Sequence, residues 1–254
     1  MAYTFHEFAL QRKDMNMPSE SEIRRMICDI GKRIYDRGMV AANDGNISVK
    51  IADNEYLCTP TGVSKGFMTP ESICRIDGSG RVIEAGEGYR PSSEIRMHLR
   101  VYEKRPEAGA VVHTHAAFAT SFAVTGQPLN RPIMSEAVVS LGCVPLAKFA
   151  TPSTSEVPDS IEPYLNDFDA VLLENHGALT WASDLESAYL KMESVEFYAQ
   201  LMYRSAVLGK ATGFTKQQID DLVKVRHKMN IAGRHPSDRK STDNCYKCDR
   251  CIWR

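Results

Sequence analysis

A chain of 254 residues, 43% hydrophobic and 25% charged, can bury one sizeable core or two small ones, and no linker-like stretch divides it. Its formal net charge of -1 removes any broad electrostatic drive towards nucleic acid or acidic membranes, so an anionic ligand would have to be held locally. The N-terminus lacks a basic region followed by an apolar stretch, no eighteen apolar residues run together, and seven cysteines, an odd number, do not make a secreted disulfide framework; the expectation is a cytoplasmic protein.

The first element is a helix. Ser19-Glu20-Ser21-Glu22 after Pro18 is a capping box, Ile23, Met26, Ile27, Ile30 and Ile34 recur at helical spacing, and Gly38 supplies the stop. The turn Asn43-Asp44-Gly45-Asn46 leads into a short strand at 47–51, and Thr59-Pro60-Thr61-Gly62 forms a second turn. Pro91-Ser92-Ser93-Glu94 opens a helix with Ile95, His98, Leu99 and Tyr102 on one stripe, ended by Pro106. The apolar run 109–112 then reads as a strand closing on His113-Thr114-His115, and 116–124 as a helix. Residues 138–146 read as an apolar strand interrupted at Gly142, and 170–177 as a buried strand running into a turn at His176. Ser183-Asp184-Leu185-Glu186 is read as a second capping box starting a long helix, and Thr215 starts one more, reaching about residue 230. Strands and helices mix without strict alternation or repeat, which predicts a layered α/β sandwich on a mostly antiparallel or mixed sheet. Neither a Gly-rich dinucleotide fingerprint nor a phosphate-binding loop with Gly-Lys-Ser/Thr is present, so nucleotide chemistry has no support.

The chemistry concentrates at strand ends. His113 and His115 share a face of an extended chain, so both rings can reach one ion, and His176 ends another apolar run. Three histidines leaving an open position describe a catalytic metal site rather than a structural one; the alternative is that each is an ordinary packed or exposed histidine. Glu94, one short helix before the His113 strand, is the candidate base and a possible resting-state ligand; otherwise it is a first-turn glutamate favourable to the helix dipole. Ser92 and Ser93 at the helix start, with Asn46, Thr61 and Gly62 in turns, could together cradle a phosphate through amides and hydroxyls, or be turn residues only. Cys245, Cys248 and Cys251 make a doubled Cys-x-x-Cys one ligand short of tetrahedral zinc. A fourth could come from His235 or another subunit; equally, the tail could carry free thiols or an incidental disulfide.

Taken in order, Asp44-Gly45-Asn46-Ile47-Ser48, Thr59-Pro60-Thr61-Gly62, Pro91-Ser92-Ser93-Glu94, Val112-His113-Thr114-His115 and Asn175-His176-Gly177 resemble the class II aldolase/adducin family over about residues 19–205. The resemblance implies an αβα sandwich, in a domain over 1–232 followed by the cysteine-containing tail 233–254. It implies Zn2+ or a similar divalent metal on His113, His115 and His176, Glu94 as acid/base, and a substrate phosphate received by Asn46, Thr61, Gly62, Ser92 and Ser93. It also implies a homotetramer with sites at subunit interfaces. The activity implied is that of a lyase: cleavage of a phosphorylated ketose, of the L-fuculose-1-phosphate kind, to dihydroxyacetone phosphate and an aldehyde.

The chain departs from the aldolase pattern in two places. Residues 132–137 contain no tyrosine where those enzymes place one, and near the C-terminus only Tyr246 stands, inside the cysteine cluster. Epimerases of the family carry aspartate in place of Glu94 and a second aspartate that aligns with Val138, so both positions point away from epimerisation. Decarboxylation of a phosphorylated 3-oxo acid would use the same metal chemistry, and an adducin-like interaction module would be expected to lose the ligands.

Overall fold

In the computed structural model the described residues are 18–209 and 211–238, so the cysteine cluster and Tyr246 lie outside them. The chain begins with α1 (Glu20–Asp36), capped as its sequence predicts: Ser19 Oγ accepts from the Glu22 N–H, and Glu22 reaches back to the Ser19 N–H at 2.7 Å. Gly38, in the left-handed region at φ 65°, follows its end.

Eight strands form one sheet in the order β4-β3-β2-β1-β5-β8-β7-β6. They are β1 (Asn46–Ala52), β2 (Glu55–Cys58), β3 (Cys74–Asp77), β4 (Val82–Glu84), β5 (Ala110–Thr114), β6 (Leu146–Ala147), β7 (Ala170–Leu173) and β8 (Gly177–Ala182). Every pairing is antiparallel except β6 with β7. The remaining helices are α2 (Ile95–Lys104), α3 (Ala117–Val124), α4 (Ser135–Ser140), α5 (Glu156–Ile161), α6 (Leu185–Leu208) and α7 (Lys216–Lys228).

Alternation along the strands divides the interior into two cores, making three layers. Ala110 and Val112 of β5 and Ala170 and Leu172 of β7 face a core shared with α1, α3 and α6. Val111, Val171 and Leu173 face the opposite core, with Ile95, Met97 and Val101 of α2 and Val157 and Ile161 of α5. The αβα sandwich on a mixed, mostly antiparallel sheet is therefore the observed architecture.

Residues 138–146 are not a strand. Val138 and Val139 lie in α4, Val144 makes an isolated bridge to Leu129, and only Leu146–Ala147 joins the sheet. Two β-branched valines read as strand, but the last carbonyls of this short helix are taken by groups far along the chain: Val138 O by His235 Nε2 at 2.8 Å and Val139 O by Arg226 at 2.9 Å. The start of α6 also differs from the expected box. Asp184 is its cap, accepting from the Ser187 N–H at 2.8 Å, while Glu186 pairs with Arg33 across the helix layer. Strands β2, β3, β4 and β8 carry no clear expectation from the sequence, being short or fused to the preceding run.

His235 therefore has a structural task. A carbonyl only accepts, so Nε2 carries the proton, and Nδ1 receives Ser237 Oγ at 2.6 Å and the Ser237 N–H at 3.2 Å. With both ring nitrogens engaged, His235 is not available as the fourth ligand considered for the cysteine cluster. Burial pushes its pKa down from 6.5 to about 4. The unfolded chain thus binds this proton below pH 6.5 and the folded one only below about 4. The neutral ring contributes stability that is fully present above 6.5 and lost as pH falls towards 4. His235→Gln is expected to flatten the pH dependence of unfolding in that window by up to about 1.4 kcal/mol per pH unit. Urea unfolding of both proteins at several pH values measures it, and equal slopes would refute the assignment.

Candidate active site

The site is assembled where β1, β5 and the β7–β8 turn meet. His113 is paired with Asn46 of β1 on one side and Leu179 of β8 on the other, and His115 follows one residue beyond β5. His176 stands in the short turn joining β7 and β8, after Asn175 at φ 55°. The three ring centroids lie 4.8–5.0 Å apart, and one nitrogen from each falls within 4.8 Å of the others. Gly177 makes this approach possible: a Cβ there would stand 2.4 Å from Thr114 O and 2.9 Å from His115 Cδ2.

The hydrogen bonds fix which nitrogen faces inward. His113 Nδ1 donates to Ala178 O at 2.9 Å, and His115 Nδ1 lies 3.2 Å from Asp44 Oδ2; both partners are pure acceptors, so each Nδ1 bears the proton. The two Nε2 atoms are left with lone pairs, buried and without a hydrogen-bond partner, and buried Asn46 Oδ1 is orphaned beside them. Burial, before any other influence, lowers the pKa of His113 and His115 and keeps both rings neutral. Converging, proton-free imidazole nitrogens fit a divalent cation, and they leave positions open as a catalytic ion requires.

Glu94 joins them from the N-terminus of α2. It makes no cap bond to its own helix, so its side chain does not serve as a helix-start residue. Instead Oε1 lies 3.1 Å from His176 Nε2, Oε2 lies 3.5 Å from His113 Nε2, and the Asn46 amide donates to Oε2 at 3.0 Å. Burial opposes its charge, but the hydrogen bonds with His176 and from the Asn46 amide outweigh that and hold the carboxyl well below the usual carboxylate range.

Beside this cluster opens a cavity of about 300 Å³ whose wall includes Thr61, Gly62, Ser92 and Ser93. All five residues proposed to receive a phosphate line it, some of their polar groups already engaged. The Thr61 N–H donates to Arg90 O, the Ser92 N–H to Thr59 O, Ser92 Oγ accepts from the Glu94 N–H, and the Asn46 amide is turned to Glu94. Because an accepting hydroxyl keeps its own O–H and an amide nitrogen has two hydrogens, the Ser92 hydroxyl and the second Asn46 N–H can still donate to an anion, as can the Thr61 and Ser93 hydroxyls and the Gly62 and Ser93 amides. Ser153, which the sequence reading missed, adds a hydroxyl 3.0 Å from Ser93 Oγ and sits in the left-handed region at φ 64°. Its only sequence signal is the turn composition of Thr151-Pro152-Ser153; its contact partner lies sixty residues earlier. Asp44, a turn residue that also opens one of the family-like motifs, carries no role of its own in the sequence. Val138, aligned with an epimerase aspartate, is 1% exposed and apolar.

Residues 25–203 match the model of the class II aldolase and adducin N-terminal domain. Among curated relatives, an L-fuculose phosphate aldolase of Methanococcus maripaludis is 33% identical over 174 residues, covering 68% of this chain and 92% of that protein. A 3-oxo-tetronate 4-phosphate decarboxylase of Cupriavidus necator is 31% identical over 189 residues, covering 73% and 85%. A solved L-fuculose 1-phosphate aldolase superposes with a TM-score of 0.75 at 27% identity, covering 82% of this chain and 97% of that one. Its motifs, its sandwich and its relatives agree: the chain belongs to the class II aldolase and adducin family.

Proposed function

We propose that this protein is a divalent-metal-dependent aldolase, with Zn2+ the expected ion, that cleaves a phosphorylated ketose of the L-fuculose-1-phosphate kind to dihydroxyacetone phosphate and an aldehyde. The observation that carries this is the convergence of three imidazoles and Glu94 beside a polar cavity large enough for a sugar phosphate. His113, His115 and His176 would hold the ion, which supplies a Lewis acid for negative charge developing on the substrate carbonyl oxygen. In the condensing direction the Glu94 carboxylate takes the proton from the carbon next to that carbonyl; in cleavage the protonated carboxyl returns it there to complete dihydroxyacetone phosphate, while the hydroxyl that becomes the aldehyde releases its own proton to solvent as the carbon–carbon bond breaks. The Glu94 carboxylate is within reach because Asn46 and His176 fix both oxygens. An interaction module has no use for two buried, unpartnered imidazole nitrogens, whose desolvation costs stability unless a ligand meets them. Assembly as a cytoplasmic homotetramer belongs to the same reading.

The Thr61, Ser92 and Ser93 hydroxyls, the Gly62 and Ser93 amides and the Asn46 side chain receive the phosphate; Asn46 and Ser92 also brace Glu94, one through its carboxylate and the other through its N–H. Ser93→Ala is expected to weaken a phosphorylated ketose by about 10- to 150-fold, the equivalent of about 1.5–3 kcal/mol, and its unphosphorylated analogue far less. Release of dihydroxyacetone phosphate from a panel of ketose 1-phosphates measures both the activity and this ratio. Equal losses would mean that Ser93 only holds the loop of Ser153. The similarity to a decarboxylase gives the panel its second arm: release of carbon dioxide from a 3-oxo-acid 4-phosphate, with no ketose cleaved, would replace the aldolase reading.

A further inference from the structure

Across the site from Glu94 stands a second carboxylate that the proposed reaction does not use. Asp44 makes its one ion-pair contact among the described residues with His115, Oδ2 to Nδ1 at 3.2 Å. The turn that carries it is fixed from several directions. The Asp44 N–H donates to Ala41 O at 2.9 Å, and Ala42 is held at φ 47°. At Gly45, φ 75°, a Cβ would come 2.9 Å from His113 O, so the turn is pressed onto the end of β5. Lys65, only 2% exposed, donates to Asn43 O at 2.9 Å and Val63 O at 2.7 Å, pinning the residue before Asp44. Burial lowers the Lys65 pKa and the nearby Asp44 carboxylate opposes that fall. A buried ammonium on backbone carbonyls is an expensive way to hold a loop that carries no task.

The two ligand rings whose Nε2 atoms are buried are oriented by unlike groups. His113 rests on a neutral backbone carbonyl, whereas His115, beyond the strand and without ladder bonds to hold it, rests on a carboxylate. A carboxylate behind an imidazole selects the Nδ1–H tautomer, fixes the ring plane and makes the opposite nitrogen a better donor to a metal. We propose that Asp44 is the positioning residue for His115, holding its Nε2 lone pair towards the metal position, on a turn that Lys65 locks in place. This rests on the metal reading above.

The test is the affinity of metal-free protein for Zn2+, measured by competition with a chromophoric chelator, in the wild type, Asp44→Ala, Asp44→Asn and His115→Ala. Asp44→Ala is expected to weaken zinc by about 10- to 100-fold. Asp44→Asn, whose amide oxygen still accepts the Nδ1–H but carries no charge, is expected to fall between the two. The metal-free melting temperature should stay unchanged in both. In ¹⁵N-histidine spectra of metal-free protein, the His115 ring should move from the Nδ1–H form towards the Nε2–H form in Asp44→Ala, a change that a merely structural role would not produce. Zinc binding within twofold of wild type in Asp44→Ala, while His115→Ala loses the ion, would overturn the Asp44 assignment and leave the metal site standing. Wild-type affinity in His115→Ala would overturn the metal reading with it.

Discussion

Glu94→Gln is expected to slow proton exchange at the carbon next to the substrate carbonyl by about 10²–10⁴, with the fold intact. The amide keeps the shape of the side chain and one oxygen for the Asn46 donor, so little should change except the capacity to hold a proton. The carboxyl is 14% exposed and set against two imidazoles, so water has no easy route to take over its role. Deuterium uptake by dihydroxyacetone phosphate in heavy water reports the step directly, without the partner aldehyde. Wild-type uptake in the variant would remove Glu94 from the reaction and leave it as a ligand or a brace.

The second large effect is expected from His176→Ala. Of the three rings, His176 is the one whose removal disturbs the sheet least, because it stands in a turn, whereas His113 is buried in the centre and its loss would orphan Ala178 O. The variant should lose bound metal and fall to the uncatalysed background while its metal-free melting temperature matches that of the wild type. A ligand present at a thousand times its dissociation constant stabilises by about 4 kcal/mol, so the wild type should melt higher with zinc than after chelation, and the variant should not. Metal analysis after dialysis, paired with the two melting curves, decides the matter. Stoichiometric zinc in His176→Ala would exclude it from the ligand set.

How much of this was legible in the sequence depended on how locally each feature is determined. The cap of α1 needs only Ser19 and Glu22, and both bonds form as read. His113 and His115 follow from a single strand and its period of two. Glu94 was legible as a residue near the site, but not its use of both oxygens, which depends on Asn46 meeting His113 across the β1–β5 register. Four strands went unread because 55–58, 74–77 and 82–84 are too short for a pattern, and 177–182 follows His176 so closely that the hairpin reads as one run. The failure at α4 is of a different kind: its helical state is supported by His235 and Arg226, which no local window contains. Which groups of the cradle are already engaged is set by long-range pairing of the same kind. Turn composition marks Thr61 and Ser92 as exposed, yet the bridge between Pro60 and Pro91 pulls their amides into backbone pairing.

The placement of β5 between β1 and β8 has a consequence for how firmly His113 is held. A strand bonded along both edges and buried on both faces opens only with most of the sheet, so its amides belong among those that exchange slowest with solvent. His113 is therefore carried on backbone that moves only in an event close to global unfolding, whereas His176 stands in a turn between two strands. If the three histidines hold an ion, this strand would keep the His113 nitrogen in place whether or not the ion is there, so metal-free protein would retain that part of the site for rebinding.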